Sequence, residues 1–117
     1  MIVKEKYKSK VIGGAMVRTI NVNEITKNIK EMCIEANHYL SPDMDKAMKQ
    51  AEQTEKSPLG KQILGQLQEN LKIAAEDMIP ICQDTGMAVI FLEIGQDVHF
   101  EGGLLEDAVN EGVRQGY

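Results

Sequence analysis

The sequence predicts an α+β fold: a helix-rich N-terminal half, then a loop carrying Cys82, a β-hairpin and a C-terminal helix. Three observations predict it. Apolar residues recur at helical spacing through most of residues 24–77. Pro80 then ends the helical pattern, because its ring removes a backbone donor and drives the preceding residue into an extended conformation. Finally, the uninterrupted apolar run Met87–Leu92 is followed by Gly95-Gln96-Asp97, a strand-length segment and then turn chemistry. A chain of 117 residues has room for one small core. Only five residues are aromatic, so Ile, Leu, Val, Ala and the seven methionines must build that core.

Taken in order, residues 1–16 read as an extension outside the fold, flexible or strand-like, with no clean period before Gly13-Gly14. A purine-rich ribosome-binding sequence read as codons would also give two glycines shortly before Met16, which makes Met16 a candidate start. Residues 17–117 then read as the folded unit or as part of one. Val17 to Val22 alternates weakly, as a short strand would, and Asn23 is the expected N-cap of a helix running from Glu24 to about Leu40. Ile25, Ile29, Met32, Cys33, Ala36 and Leu40 share one face of it. Ser41-Pro42 and Ser57-Pro58 are two further helix starts, since proline fits a first turn. The second helix carries Met44, Ala47, Met48 and Ala51; the third carries Leu59, Ile63, Leu64, Leu67, Leu71, Ala74 and Ala75 towards Asp77. Met87 to Ile94 is apolar on both faces, as a buried strand is, and Val98-His99-Phe100 is expected to pair back on it as a hairpin. After Gly102-Gly103, Leu105, Ala108, Val109, Gly112 and Val113 line one side of the last helix.

Composition excludes several classes of function. The net charge is −5, and Lys4, Lys6, Lys8 and Lys10 sit in the extension, so the rest of the chain is more acidic still. Such a body repels nucleic acid and anionic membrane. The longest apolar run falls far short of the roughly 20 residues of a membrane span, and the N-terminal lysines precede no apolar signal segment. Cys33 and Cys82 form no disulfide framework and no paired metal motif, which points to a reducing compartment, the cytoplasm. His38, His99 and the acidic helix faces read as structural or solvated.

Chemistry concentrates in Cys82-Gln83-Asp84-Thr85-Gly86, where a thiol, an amide, a carboxyl and a hydroxyl stand side by side between apolar segments. Burying one unpaired polar group costs roughly 1–3 kcal/mol, so the cluster needs partners, a ligand or a solvated cleft. Read from the residues alone, three accounts stay open. One is a capped turn, with Asp84 accepting from backbone N–H groups and Gly86 at positive φ. Another is an aspartic-protease-like Asp-Thr-Gly, at odds with a chain that leads with three helices. In the third, Cys82 is a metal ligand, although iron–sulfur and zinc sites need three or four ligands.

The stretch Ile79-Pro80-Ile81-Cys82-Gln83-Asp84-Thr85-Gly86-Met87-Ala88-Val89-Ile90-Phe91, continuing through Glu93 to His99 and Glu101-Gly102-Gly103, resembles the iron–sulfur hydro-lyases. These comprise the class I fumarate hydratases and the L-tartrate dehydratases; the similarity is to the N-terminal part of their α subunit. It extends to Cys33-Ile34-Glu35-Ala36-Asn37, Ser57-Pro58-Leu59-Gly60 and Glu111-Gly112-Val113-Arg114, and covers roughly residues 17–117.

That resemblance implies a [4Fe–4S] cluster held by three cysteines, of which Cys82 is the first, with one iron open to substrate. It makes Gln83 and Asp84 substrate-binding residues and Asp84 the acid that protonates the departing hydroxyl, in reversible hydration of fumarate to malate or dehydration of tartrate. An acid in that role needs a raised pKa, expected from a dry site beside Ile81 and Met87. Two cluster cysteines, the arginines that grip substrate and the catalytic base are missing from these 117 residues, so the segment alone is expected to hold no stable cluster and to be inactive. A small dicarboxylate substrate, a β subunit or C-terminal domain, and an oligomer are the implied partners, with no nucleic acid and no membrane. The alternative from another class is a noncatalytic helical interaction module.

Overall fold

The computed structural model describes residues 8–12, 15–82 and 87–117. The fold is α+β, as the sequence predicts. Strands β1 (Lys8–Ile12) and β2 (Ala15–Asn21) lead into helices α1 (Val22–His38), α2 (Pro42–Thr54) and α3 (Pro58–Asp77); strand β3 (Val98–Glu101) and helix α4 (Leu105–Gly116) follow. Two compact units result: Met1–Ile34 with Ala88–Tyr117, and Glu35–Met87.

In the first unit the sheet order is β1-β2-β3. β1 pairs antiparallel with β2, with Lys10 opposite Val17, so Lys8–Ile12 of the N-terminal extension is strand. β3 pairs with β2 in parallel, Arg18 opposite Val98 and Asn21 opposite Glu101. This corrects the expected hairpin. Val98 N–H does close a turn on Gly95 C=O (3.1 Å), and Asp97 C=O accepts from Arg18 N–H (2.8 Å), so the turn delivers β3 onto the open edge of β2. The run from Met87 to Ile94 forms no strand: Met87 is 81% exposed and Phe91 92%. A segment apolar on both faces becomes a buried strand only where both faces are covered. Here all of this run but the half-buried Ile90 is exposed.

Helix α1 starts two residues earlier than expected, because Asn21 rather than Asn23 is the cap: its Oδ1 accepts the N–H of Asn23 at 2.9 Å. Val22 and Ile29 of α1 and Ala108 of α4 are buried, and Thr26 donates its hydroxyl to Ala108 C=O at 3.0 Å. The two helices approach closely where α4 carries glycine. A Cβ on Gly112 would lie 2.7 Å from Thr26 C=O and 2.8 Å from Ile29 Cβ; one on Gly116 would lie 2.6 Å from Cys33 Cβ. Near the end of α4, Glu111 accepts from Arg114 at 2.6 Å and 2.7 Å and from Gln115 at 2.8 Å.

The second unit holds α2 and α3, which the two Ser-Pro starts predict. Between them Glu55 Oε1 accepts the N–H groups of Lys56 and Ser57, each at 2.8 Å, which holds its carboxyl below the usual range. Ser57 Oγ then caps α3 by accepting Gly60 N–H at 3.3 Å. A Cβ on Gly60 would lie 2.8 Å from Glu55 Cγ, so the Ser-Pro-Leu-Gly sequence builds this corner. Glu52 and Gln68 join the two helices by a side-chain hydrogen bond. Burial is thin: α2 buries no residue and α3 only Ala74, while Leu59, Ile63 and Leu67 stay exposed.

Gly112→Ala is expected to cost about 1–3 kcal/mol by forcing α1 and α4 apart, read from the urea midpoint, whereas Asn110→Ala on the exposed side of α4 stays within about 0.5 kcal/mol. Hydrogen bonds from Arg114 and Gln115 lower the Glu111 carboxyl to about 2 from its ordinary 4.5. A depressed carboxyl stabilises the fold above its unfolded pKa and stops doing so as pH falls through the folded value. The small advantage of the wild-type chain over Glu111→Gln is therefore expected at neutral pH and should vanish between about 4.5 and 2 in thermal melts.

Candidate metal centre

Helix α3 ends on Met78, a left-handed residue (φ 51, ψ 46) whose N–H bonds Ala74 C=O; Ile79 N–H reaches the same carbonyl at 3.2 Å. Without a glycine this conformation costs roughly 1–2 kcal/mol. Tyr39 O–H donates to Met78 Sδ at 3.7 Å. The turn reverses the chain, and Pro80 keeps it extended. Ile81 is then held on both sides: its N–H donates to Asn37 C=O at 2.8 Å, and its C=O accepts from Asn70 Nδ2 at 2.9 Å.

Cys82 follows, exposed and not in a disulfide. Gln83 and Asp84, the expected substrate-binding residues, lie outside the described residues with Thr85 and Gly86. The dry flank expected for Asp84 is not supplied by its described neighbours, since Ile81 is half-buried and Met87 is 81% exposed.

A thiolate is a soft donor suited to iron, and an exposed reduced cysteine at the end of a tethered segment fits as one ligand of a cluster. Among the described residues no three His, Cys, Asp or Glu side chains gather as a metal site. Cys33 is a poor substitute, half-buried against Gly116, and burial pushes its thiol pKa up, as its place on the apolar stripe predicts. His99 lies exposed on β3. His38 ends α1 and, with Tyr39, Lys49, Leu71 and Lys72, lines a cavity of about 330 Å³ to which none of residues 78–82 contributes.

Sequence reading missed the holding role of Asn70. A polar residue on a helix between Leu67 and Leu71 carries no signal of a bond to a carbonyl eleven residues away. Asn37 was visible only as part of the Cys33–Asn37 resemblance, and its contribution comes from its backbone.

The family model described as fumarate hydratase (fumerase) matches residues 26–117, from within α1 to the last residue and across Cys82 to Gly86. The chain belongs to this family of iron–sulfur-dependent hydro-lyases. A protein of Methanocaldococcus jannaschii, provisionally named L(+)-tartrate dehydratase subunit alpha, is 34% identical over 93 residues, 79% of this chain and 33% of that protein. The chain thus spans about a third of the length of that relative. No solved structure matches it. No helix among the described residues is long and apolar enough to cross a membrane.

Alkylation followed by mass spectrometry is expected to label Cys82 before Cys33. Because burial raises the Cys33 pKa, labelling of that thiol should still be climbing at pH values where an ordinary thiol has levelled off.

Proposed function

We propose that this chain is the N-terminal segment of the α subunit of a cytoplasmic hydro-lyase that hydrates fumarate reversibly to malate, acting in the tricarboxylic acid cycle. The observation that carries the proposal is the family match over residues 26–117, a range that includes Cys82-Gln83-Asp84-Thr85-Gly86. In this reading residues 17–117 are the first part of the hydro-lyase domain and residues 1–16 an extension. The name of the archaeal relative favours a second substrate, tartrate, and its designation as subunit alpha supports a β subunit as partner in an oligomeric enzyme.

Cys82 supplies one thiolate to a [4Fe–4S] cluster, and the other two cysteine ligands come from outside these residues. When bound, the cluster supplies a Lewis-acidic iron that draws electron density from the hydroxyl to be lost. Gln83 donates its amide N–H groups to the dicarboxylate and fixes its orientation. Asp84 holds a proton and transfers it to the departing hydroxyl, which leaves as water; in the hydration direction it takes that proton back. Neutral Asp84 at working pH requires exclusion of water from its carboxyl. The polypeptide that covers Met87–Ile94 in the complete enzyme serves that purpose. A base outside these residues removes the carbon-bound proton.

Anaerobic reconstitution of the complete enzyme is expected to give cluster absorbance and hydratase activity, both lost in Cys82→Ser. Asp84→Asn should keep the cluster and lose roughly 10²–10⁴-fold in kcat, the range of a positioned general acid. A full cluster in Cys82→Ser removes that residue from the ligand set, and wild-type turnover in Asp84→Asn removes the acid. Comparing kcat/KM for malate and tartrate selects the substrate.

A further inference from the structure

We infer that Asn70 is a positioning residue for the Cys82 thiolate, an inference that rests on the reading of Cys82 as a cluster ligand. The argument is one of peptide geometry. The six atoms from one Cα to the next lie in a plane, so the carbonyl of Ile81 is rigidly joined to the N and Cα of Cys82. Asn70 donates its amide to that carbonyl at 2.9 Å, which sets the plane from which the thiol projects. The preceding plane is set separately, because Ile81 N–H donates to Asn37 C=O at 2.8 Å. Two successive planes are thus tied to two helices, with Pro80 stiffening the approach.

The position of Asn70 strengthens the case. α3 continues to Asp77 before Met78 reverses the chain, and Ile81 returns alongside the helix at the level of Asn70. Asparagine is a weak helix former, since its side chain tends to compete for nearby backbone groups. Here its amide reaches instead across eleven residues to the carbonyl just before the metal-binding thiol. An alanine at the same place would favour the helix and leave that carbonyl without its donor. Helix stability and thiol position therefore ask for different residues, and the sequence carries the one that serves the thiol.

Partners that orient metal ligands typically change metal affinity or activity by 10- to 100-fold when removed. In the complete enzyme, reconstituted anaerobically, Asn70→Ala and Asn70→Asp are expected to lose visible cluster absorbance to a chelator at least about tenfold faster than wild type. Asn70→Gln, which keeps the amide donor on a longer stem, should fall between. Far-UV circular dichroism and the unfolding midpoint of Asn70→Ala are expected to stay near wild type, because gained helix propensity offsets the lost bond. Wild-type bleaching rates in the Ala and Asp variants overturn the inference, as does faster bleaching only in proportion to unfolded protein. Cys82→Ser serves as the separate control. Cluster retained there sinks the ligand reading itself, whereas cluster lost there with Asn70 variants unaffected sinks only the role of Asn70.

Discussion

The backbone of Ile81 is bonded in two directions, to the Asn37 carbonyl and from the Asn70 amide, and the conformation of residues 78–82 depends on that pair of bonds. The left-handed turn before it is closed by the Met78 and Ile79 N–H groups on Ala74 C=O, with Tyr39 O–H on Met78 Sδ, and the two Ile81 bonds continue that anchoring past Pro80. With them, Cys82 sits next to a peptide plane anchored on α3 and remains exposed. Hydrogen bonding rather than burial supplies the order. Each such bond is worth only about 1 kcal/mol net, yet two on one residue suffice to fix a short connection.

Burial is scarce elsewhere in the chain as well. Val22, Ile29, Ala74 and Ala108 are its buried hydrophobics among the described residues, while Val89, Phe91, Leu59 and Leu104 are all at least 66% exposed. A fully buried large apolar side chain contributes about 1.5–3 kcal/mol relative to an exposed one, so much of the apolar content of this sequence is left unused. Where packing is tight it is made by small residues, at Gly112 and Gly116 of α4 against α1. The exposed run Met87–Ile94 follows directly on the motif of the candidate centre.

Much of this was legible in local chemistry. Ser41-Pro42 and Ser57-Pro58 mark the starts of α2 and α3, the end of α3 falls at Asp77 as expected, and the apolar positions of α4 include both buried residues, Ala108 and Gly112. Each signal is a propensity of neighbouring residues, which survives whatever the rest of the chain does. The cap of α1 moved from Asn23 to Asn21 because two asparagines of equal capping power stand two positions apart. The pairing of Val98–Glu101 with β2 was not legible, since alternation identifies a strand without naming its partner. The candidate centre divides in the same way: its thiol, amide and carboxyl are contiguous and stand out, whereas the asparagine that ties down the backbone lies on a helix eleven residues away.

What the sequence alone determined is the helical content, the starts of α2 and α3, the family and the position of Cys82 within its motif, because all of these are carried by residues adjacent along the chain. Only the tertiary structure decided that β3 joins β2 in parallel, that Met87–Ile94 stays uncovered, and that Asn70 and Asn37 hold Ile81. Those outcomes depend on which open edges, carbonyls and apolar surfaces meet in space, and one-dimensional patterning does not encode which of several competent partners is in reach.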